Sequence, residues 1–377
     1  MVRYSHQITK QKQPKQRFYL RFFTGGFKMS VITFVCAGQM NSAITFPAFE
    51  NGHEVRLVGS PLDRDIIDGL KKDNFHITLK RTLHDGIKYY QIEELEEALK
   101  GADLVLGGVS SFGLDWFCDE ILPVLPEDVP VLTVTKGMVD LEDGTLVPYP
   151  HIFAQPEGKH LNLNAIGGPC TSYELADHDD SHVAFCGKDV ETLKYIKSLL
   201  ETDYYHISLS TDVVGVECAV AMKNAYALGV SLAVGLAEKR DGKIGSQHYN
   251  SQAALFGQSV KEMTRLLELI GGKPENIIHG AGDLYVTIFG GRTRKIGTLL
   301  GRGLSFNEAM AELQGVTLES IVISTRTARA VRKLAERGIV SLEDFPLLMH
   351  VDAIINQGAE VDIPWKDFTW NDFSLAE

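Results

Sequence analysis

Hydrophobic positions come in short β-branched runs through the first half of the chain and at helical spacing through the second. The run SVITFV at residues 30–35 is followed by CAGQMNSAITFPAFENG, which reads as a strand, a tight turn and a helix ending near Gly52. HEVRLVGS supplies a second strand, and strand, helix, strand in about 30 residues is a βαβ unit with parallel strands. The alternation continues with a helix in YYQIEELEEALKGA, a strand in DLVLGGV, a helix reaching Leu122 and a strand in PVLTVTKGM. LNAIGGP and VAFCGKD add strands, and residues 191–201 add a helix. The pattern predicts a doubly wound parallel sheet in an α/β domain.

From Thr211 the period changes. Residues 211–238, TDVVGVECAVAMKNAYALGVSLAVGLAE, form a long apolar run that predicts a helix buried on most sides. Its length suits a membrane span, but Glu217, Lys223 and Asn224 inside it, with no second such segment, argue for a protein core. Lys223 is costly to desolvate there unless it pairs, snorkels out or sheds its proton, and a lysine of lowered pKa is a proton donor or acceptor near neutral pH. A second helix is expected at residues 250–270, a glycine-rich break in HGAGDLYVTIFGGRTRKIG, and amphipathic helices at 305–313 and 318–338. The expected organisation is a basic tail at 1–28, a dinucleotide-binding α/β domain at 29–210, an all-α catalytic domain at 211–350 and an irregular tail at 351–377.

Charge narrows the partners. A formal net charge of -12 argues against nucleic acid held by bulk electrostatics, so an anionic substrate needs a local basic pocket. Five scattered cysteines with no CxxC read as free thiols in a reducing compartment, and no metal site is expected. Residues 1–28 carry seven lysines and arginines and no acid. They lack a secretory apolar core, and the cytoplasm is the expected compartment.

The first βα turn is where a Rossmann-like domain places G-x-G-x-x-G to bring backbone against a pyrophosphate. The corresponding positions here are Cys36, Gly38 and Asn41, so the middle glycine alone is kept, and Asn41 is expected to tolerate a positive φ. The second strand ends in Gly59 and Ser60. With no acid for a ribose hydroxyl and no arginine for a 2′-phosphate in that stretch, NAD and NADP both stay open.

Three segments, TDVVGVECAVAMKNAYALGVSLAVGLAE, NSQAALFGQSVKEM and GAGDLYVTIFGGRTRKIGTLLGRGLS, together with VTKGM and GGPCTSYELA, resemble NAD(P)-dependent glycerol-3-phosphate dehydrogenase. The resemblance runs from about Ser30 to Gly338. It implies reversible reduction of dihydroxyacetone phosphate by NAD(P)H in a homodimer. Lys223 then matches the catalytic lysine that protonates the carbonyl oxygen, Lys136 a second active-site lysine, and Asp283 the acid that orients Lys223. Asn224, Thr287, Arg292 and Thr293 would hold the substrate. Cys36, Gly38, Gln39, Met40, Asn41, Ser60, Ser111, Arg292 and Gln314 would hold the cofactor. On local sequence alone Asp283 equally reads as a helix cap, Lys136 as a strand-end surface lysine, and Arg292, Arg294 and Lys295 as a solvated basic patch. The departures are Cys36 and Asn41 for glycines, Thr293 for asparagine, and Val109, Ser110, Ser111 for V-P-S. They leave a related dehydrogenase of another polyol or hydroxy acid, or a catalytically silent nucleotide-binding relative, as alternatives.

Overall fold

The β-branched runs form the strands they predict. In the computed structural model, which describes residues 29–150, 159–316 and 318–368, six of them make one sheet together with two strands not expected from the pattern, at residues 88–90 and 205–210. The eight strands are β1 (Val31–Val35), β2 (Glu54–Val58), β3 (Lys88–Tyr90), β4 (Leu104–Gly107), β5 (Pro130–Thr133), β6 (Asn162–Gly167), β7 (Ser181–Gly187) and β8 (Tyr205–Ser210). Their spatial order is β8-β7-β6-β5-β4-β1-β2-β3. Every pairing is parallel except β6 with β7. The chain leaves β1 for β2 on one side and returns to β4 on the other. The carboxyl ends of β1 and β4 therefore flank the crevice in which such sheets bind ligands. The basic tail at 1–28 lies outside the described residues.

Tyr89 and Tyr90, expected in a helix, are strand β3 at the sheet edge, and the helix starts only after Gln91. Two aromatics in a row suit a half-buried pleated surface better than a helix face.

Beyond β8 the chain is helical: α1 and α2 of the sheet half (Gln39–Glu50 and Arg64–Asp73) give way to α3 (Val213–Asp241), α4 (Tyr249–Leu269), α5 (Ile277–Ile288), α6 (Gly291–Arg302), α7 (Phe306–Glu312), α8 (Glu319–Glu336) and α9 (Pro346–Gln357). Helix α3 is long and apolar enough to cross a membrane, yet 83% of its most apolar window is buried inside the protein, with the other helices packed round it. Asp212 caps its start by accepting the Gly215 amide, and Gly242 ends it in the left-handed conformation.

The glycine-rich break is a correction. HGAGDLYVTIFGGRTRKIG is two helices, α5 and α6, interrupted only at Phe289 and Gly290. Its glycines serve packing. A Cβ on Gly301 would stand 2.2 Å from the Leu232 carbonyl oxygen, and one on Gly280 would stand 2.6 Å from that of Ala219. Backbone thus lies directly on α3. The segment from Val351, expected to be irregular, opens as the second half of α9, whose Val351, Ile354 and Ile355 enter the helical core. Residues 369–377 lie outside the described residues.

The halves are also joined by a β-hairpin, Met138–Asp140 with Leu146–Pro148, that leaves the sheet side after β5. Met138 and Leu146 are buried in the same apolar cluster as Met222 and Tyr226 of α3. Helix α8 holds the hairpin: Arg329 pairs with Asp140 at 2.5 Å, and Arg326 donates to the Met138 carbonyl at 3.1 Å.

Candidate active site

A cleft of about 810 Å³ opens at the carboxyl ends of β1, β4, β5 and β6, against α3, α5 and α6. Lys136, three residues past β5, enters it from the sheet; Lys223 and Asn224 enter from the middle of α3, and Asp283 from α5. The Asp283 carboxylate is 1% exposed and sits between the two ammonium groups. Lys136 Nζ donates to Oδ2 at 2.5 Å and to the Gly168 carbonyl at 3.3 Å, and Lys223 Nζ donates to Oδ1. One anion therefore links a lysine of each half. The helix-cap reading of Asp283 gives way, since it sits in mid-helix with its side chain wholly engaged by lysines.

The lysines differ in acidity. Burial pushes the Lys223 pKa down, the Lys136 charge adds to the fall, and Asp283 opposes it; the net direction is downward. Burial also presses on Lys136, but Asp283 outweighs it and the net direction is upward. Lys136 is the fixed cation and Lys223 the better acid.

Glu217, a turn and a half before Lys223 on α3, is wholly buried, and neither carboxylate oxygen has a hydrogen-bond partner. Burial raises its pKa to about 8, against a pull downward from Lys136. An acid whose folded pKa is raised binds more protons folded than unfolded. Its contribution to stability is full below about pH 4.5 and is lost as pH rises toward 8. Glu217→Gln should therefore remove part of the fall in Tm between pH 5 and 8, measured by thermal melts of both proteins. Parallel curves for the two would contradict this assignment.

On the opposite wall Thr287, Arg292 and Thr293 line the cleft. Thr287 donates to the Asp283 carbonyl at 2.7 Å, and Thr293 is buried at the start of α6. Arg292 is exposed and has no ion-pair partner among the described residues, so its fork is free for an anion. Glu319, the first residue of α8, lines the same cleft and accepts the Ser111 amide at 3.4 Å. Gln314 is exposed and lies outside the cleft lining. The chain makes a turn after Leu313 and comes to the cleft at Glu319, a residue that the sequence reading does not single out.

The glycine turn is rebuilt with other residues. Cys36, not Asn41, takes the left-handed backbone, with φ 77°, at a cost of about 1–2 kcal/mol. Asn41 lies in the first turn of α1 and braces the bend from below, its Nδ2 donating to the carbonyls of Val35 at 2.7 Å and Cys36 at 2.9 Å. His76 braces it from the side. Its Nδ1 accepts the Leu79 amide, so Nε2 carries the proton and donates to the Ala37 carbonyl at 2.9 Å. Gln39 turns outward to the Thr78 carbonyl, and Met40 reaches the cleft.

These residues fit a dinucleotide. Gly38 is the N-cap of α1, carries no side-chain cap, and a Cβ added there would meet no atom within 4 Å. That leaves open space over the first amides of α1, which have no intrahelical partner. A doubly wound sheet with such a turn beside a lysine–aspartate–lysine cluster defines a nicotinamide-dependent dehydrogenase acting on a CH–OH group.

The comparisons make it specific. Residues 31–192 match the NAD-dependent glycerol-3-phosphate dehydrogenase N-terminus and residues 212–365 the C-terminus of the same family. The NADP(+)-dependent glycerol-3-phosphate dehydrogenase of Archaeoglobus fulgidus is 30% identical over 88% of this chain and 97% of its own length. The NAD(P)+ enzyme of Bacillus mycoides is 28% identical over 82% and 87%. The crystal structure of glycerol-3-phosphate dehydrogenase from Coxiella burnetii covers 90% of this chain and 97% of its own at a TM-score of 0.72 and 23% identity, a likeness of fold. The chain belongs to the NAD-dependent glycerol-3-phosphate dehydrogenase family.

Proposed function

We propose that this protein reduces dihydroxyacetone phosphate to glycerol 3-phosphate, reversibly, with Lys223 as the proton donor. The observation that carries the reading is the Asp283 carboxylate held between Lys136 and Lys223 in the cleft. A bound NAD(P)H supplies the hydride that the carbonyl carbon takes up. Lys223, made acidic by burial, gives its proton to the carbonyl oxygen and is reprotonated from water. Lys136 keeps its charge and stabilises the oxygen as it becomes an alkoxide. Asp283 orients both ammonium groups, and its carboxylate offsets part of their desolvation.

Arg292 grips the phosphate, with Thr293, Thr287 and Asn224 around the hydroxyl and phosphate ends. This gives a protein of net negative charge the local cation its substrate needs. Arg292→Ala should raise KM for dihydroxyacetone phosphate by about 10²-fold, the cost of one charge-assisted bidentate contact, with a smaller change in kcat. An unchanged KM would remove the phosphate role. We place the protein in the cytoplasm, as a homodimer, on its free cysteines and on the resemblance of the chain to the family.

The test is oxidation of NADH and of NADPH by the full chain with dihydroxyacetone phosphate. Turnover supports the reading. Nucleotide binding without turnover would move the substrate to another polyol or hydroxy acid, and absence of both would leave a silent relative.

A further inference from the structure

The second strand ends without an acid, but the fold brings one back. After Ser60 the chain makes a turn, closed by the Asp63 amide donating to the Ser60 carbonyl at 2.9 Å, and Asp63 then opens α2. Its side chain points back across the strand ends. Asp63 Oδ2 accepts the Ser60 amide at 2.8 Å and, from the glycine turn, the Ala37 amide at 3.1 Å. The carboxylate is thus fixed between the carboxyl ends of β1 and β2, one residue from the open backbone at Gly38. Oδ1 has no hydrogen-bond partner among the described residues, and the side chain is only partly covered.

In a dinucleotide fold this place belongs to the adenosine ribose, whose 2′-hydroxyl is read by an acid and whose 2′-phosphate is read by an arginine. We propose that Asp63 reads that ribose, accepting the 2′-hydroxyl of NADH on Oδ1 and turning away the 2′-phosphate of NADPH. Of the cations on α2 and the segment after it, Arg64 pairs with Glu93, Arg81 with Asp177 at 2.5 Å and Lys71 with Glu94 at 3.2 Å, while Lys72 and Lys80 are exposed and have no ion pair among the described residues. Asp65 adds a second acid to the first turn of α2. A phosphate placed there meets like charge and is disfavoured. The assignment rests on the reading that the cleft takes a nicotinamide dinucleotide.

The experiment is titration of NADH and NADPH into the full chain without substrate, followed by quenching of tryptophan fluorescence, alongside kcat/KM for each cofactor. Wild type should bind NADH at least about tenfold more tightly than NADPH. Asp63→Asn keeps the shape and the acceptor for the two amides but removes the charge. It should tighten NADPH and bring the two constants within about threefold of each other. Both constants come from one preparation, so their ratio does not depend on how much of the variant is folded. Equal binding or an NADPH preference in wild type overturns the assignment, as does an unchanged ratio in Asp63→Asn. Binding of neither nucleotide would overturn the dinucleotide reading itself, and this assignment with it.

Discussion

Lys223→Ala should lower kcat for dihydroxyacetone phosphate reduction by about 10²–10⁴-fold while leaving the dissociation constant for NADH unchanged. The alanine leaves β1, Gly38 and the turn untouched, since Lys223 enters from α3 on the far wall of the cleft. Lys223→Arg is the sharper variant. A guanidinium keeps the charge beside Asp283 but is a far weaker acid, so a proton-donor role predicts loss of turnover there too. A purely electrostatic role predicts that arginine rescues. Steady-state kinetics on the two variants, with nucleotide titration as the control, separates these outcomes, and near-wild-type turnover in Lys223→Ala would end the assignment.

Asp283→Asn should be nearly as damaging, and by a different route. Asp283 is almost fully buried and its two oxygens each take a lysine. Neutralising it leaves two cations facing each other without their anion, and breaking a buried pair in this way costs about 3–5 kcal/mol. Both lysines respond by losing affinity for protons, since the group that raises their pKa is gone. The reduction needs the ammonium form of Lys223, so its rate falls as pH rises through that pKa. In Asp283→Asn the fall should begin at lower pH. The checks are a pH profile of kcat/KM and a thermal melt; an unshifted alkaline limb would mean that Asp283 does not set the acidity of Lys223.

Periodicity made the sheet legible because buried parallel strands are continuous apolar runs, and it made α3 legible because nothing else is apolar for so long. Lys223 stood out for the same reason, as a charge where the pattern forbids one. Lys136 and Asp283 did not stand out locally, because what matters is a meeting between residues 147 positions apart in the chain. Only the family resemblance joined them. Glycine carries two meanings that local sequence does not separate. In α5 and α6 it serves the close approach of helix backbones, a property of the partner surface, and not a break. In the first turn Cys36, and not Asn41, adopts the positive φ, and Asn41 and His76 hold it. Asp63 was invisible because a four-residue turn, not strand position, decides where its carboxylate lies.

The hairpin of residues 138–148 has a consequence for how such a chain can be divided. Met138 and Leu146 are contributed by the sheet half to a core otherwise made by the helical half. Each side chain of this kind contributes about 1.5–3 kcal/mol when buried. A gene cut at residue 210 would yield a helical piece with a socket where the hairpin belongs, and a sheet piece with an apolar finger in water. Neither is a module that recombination could lend to another protein. The two halves share that core as they share the Asp283 carboxylate, to which each lends a lysine.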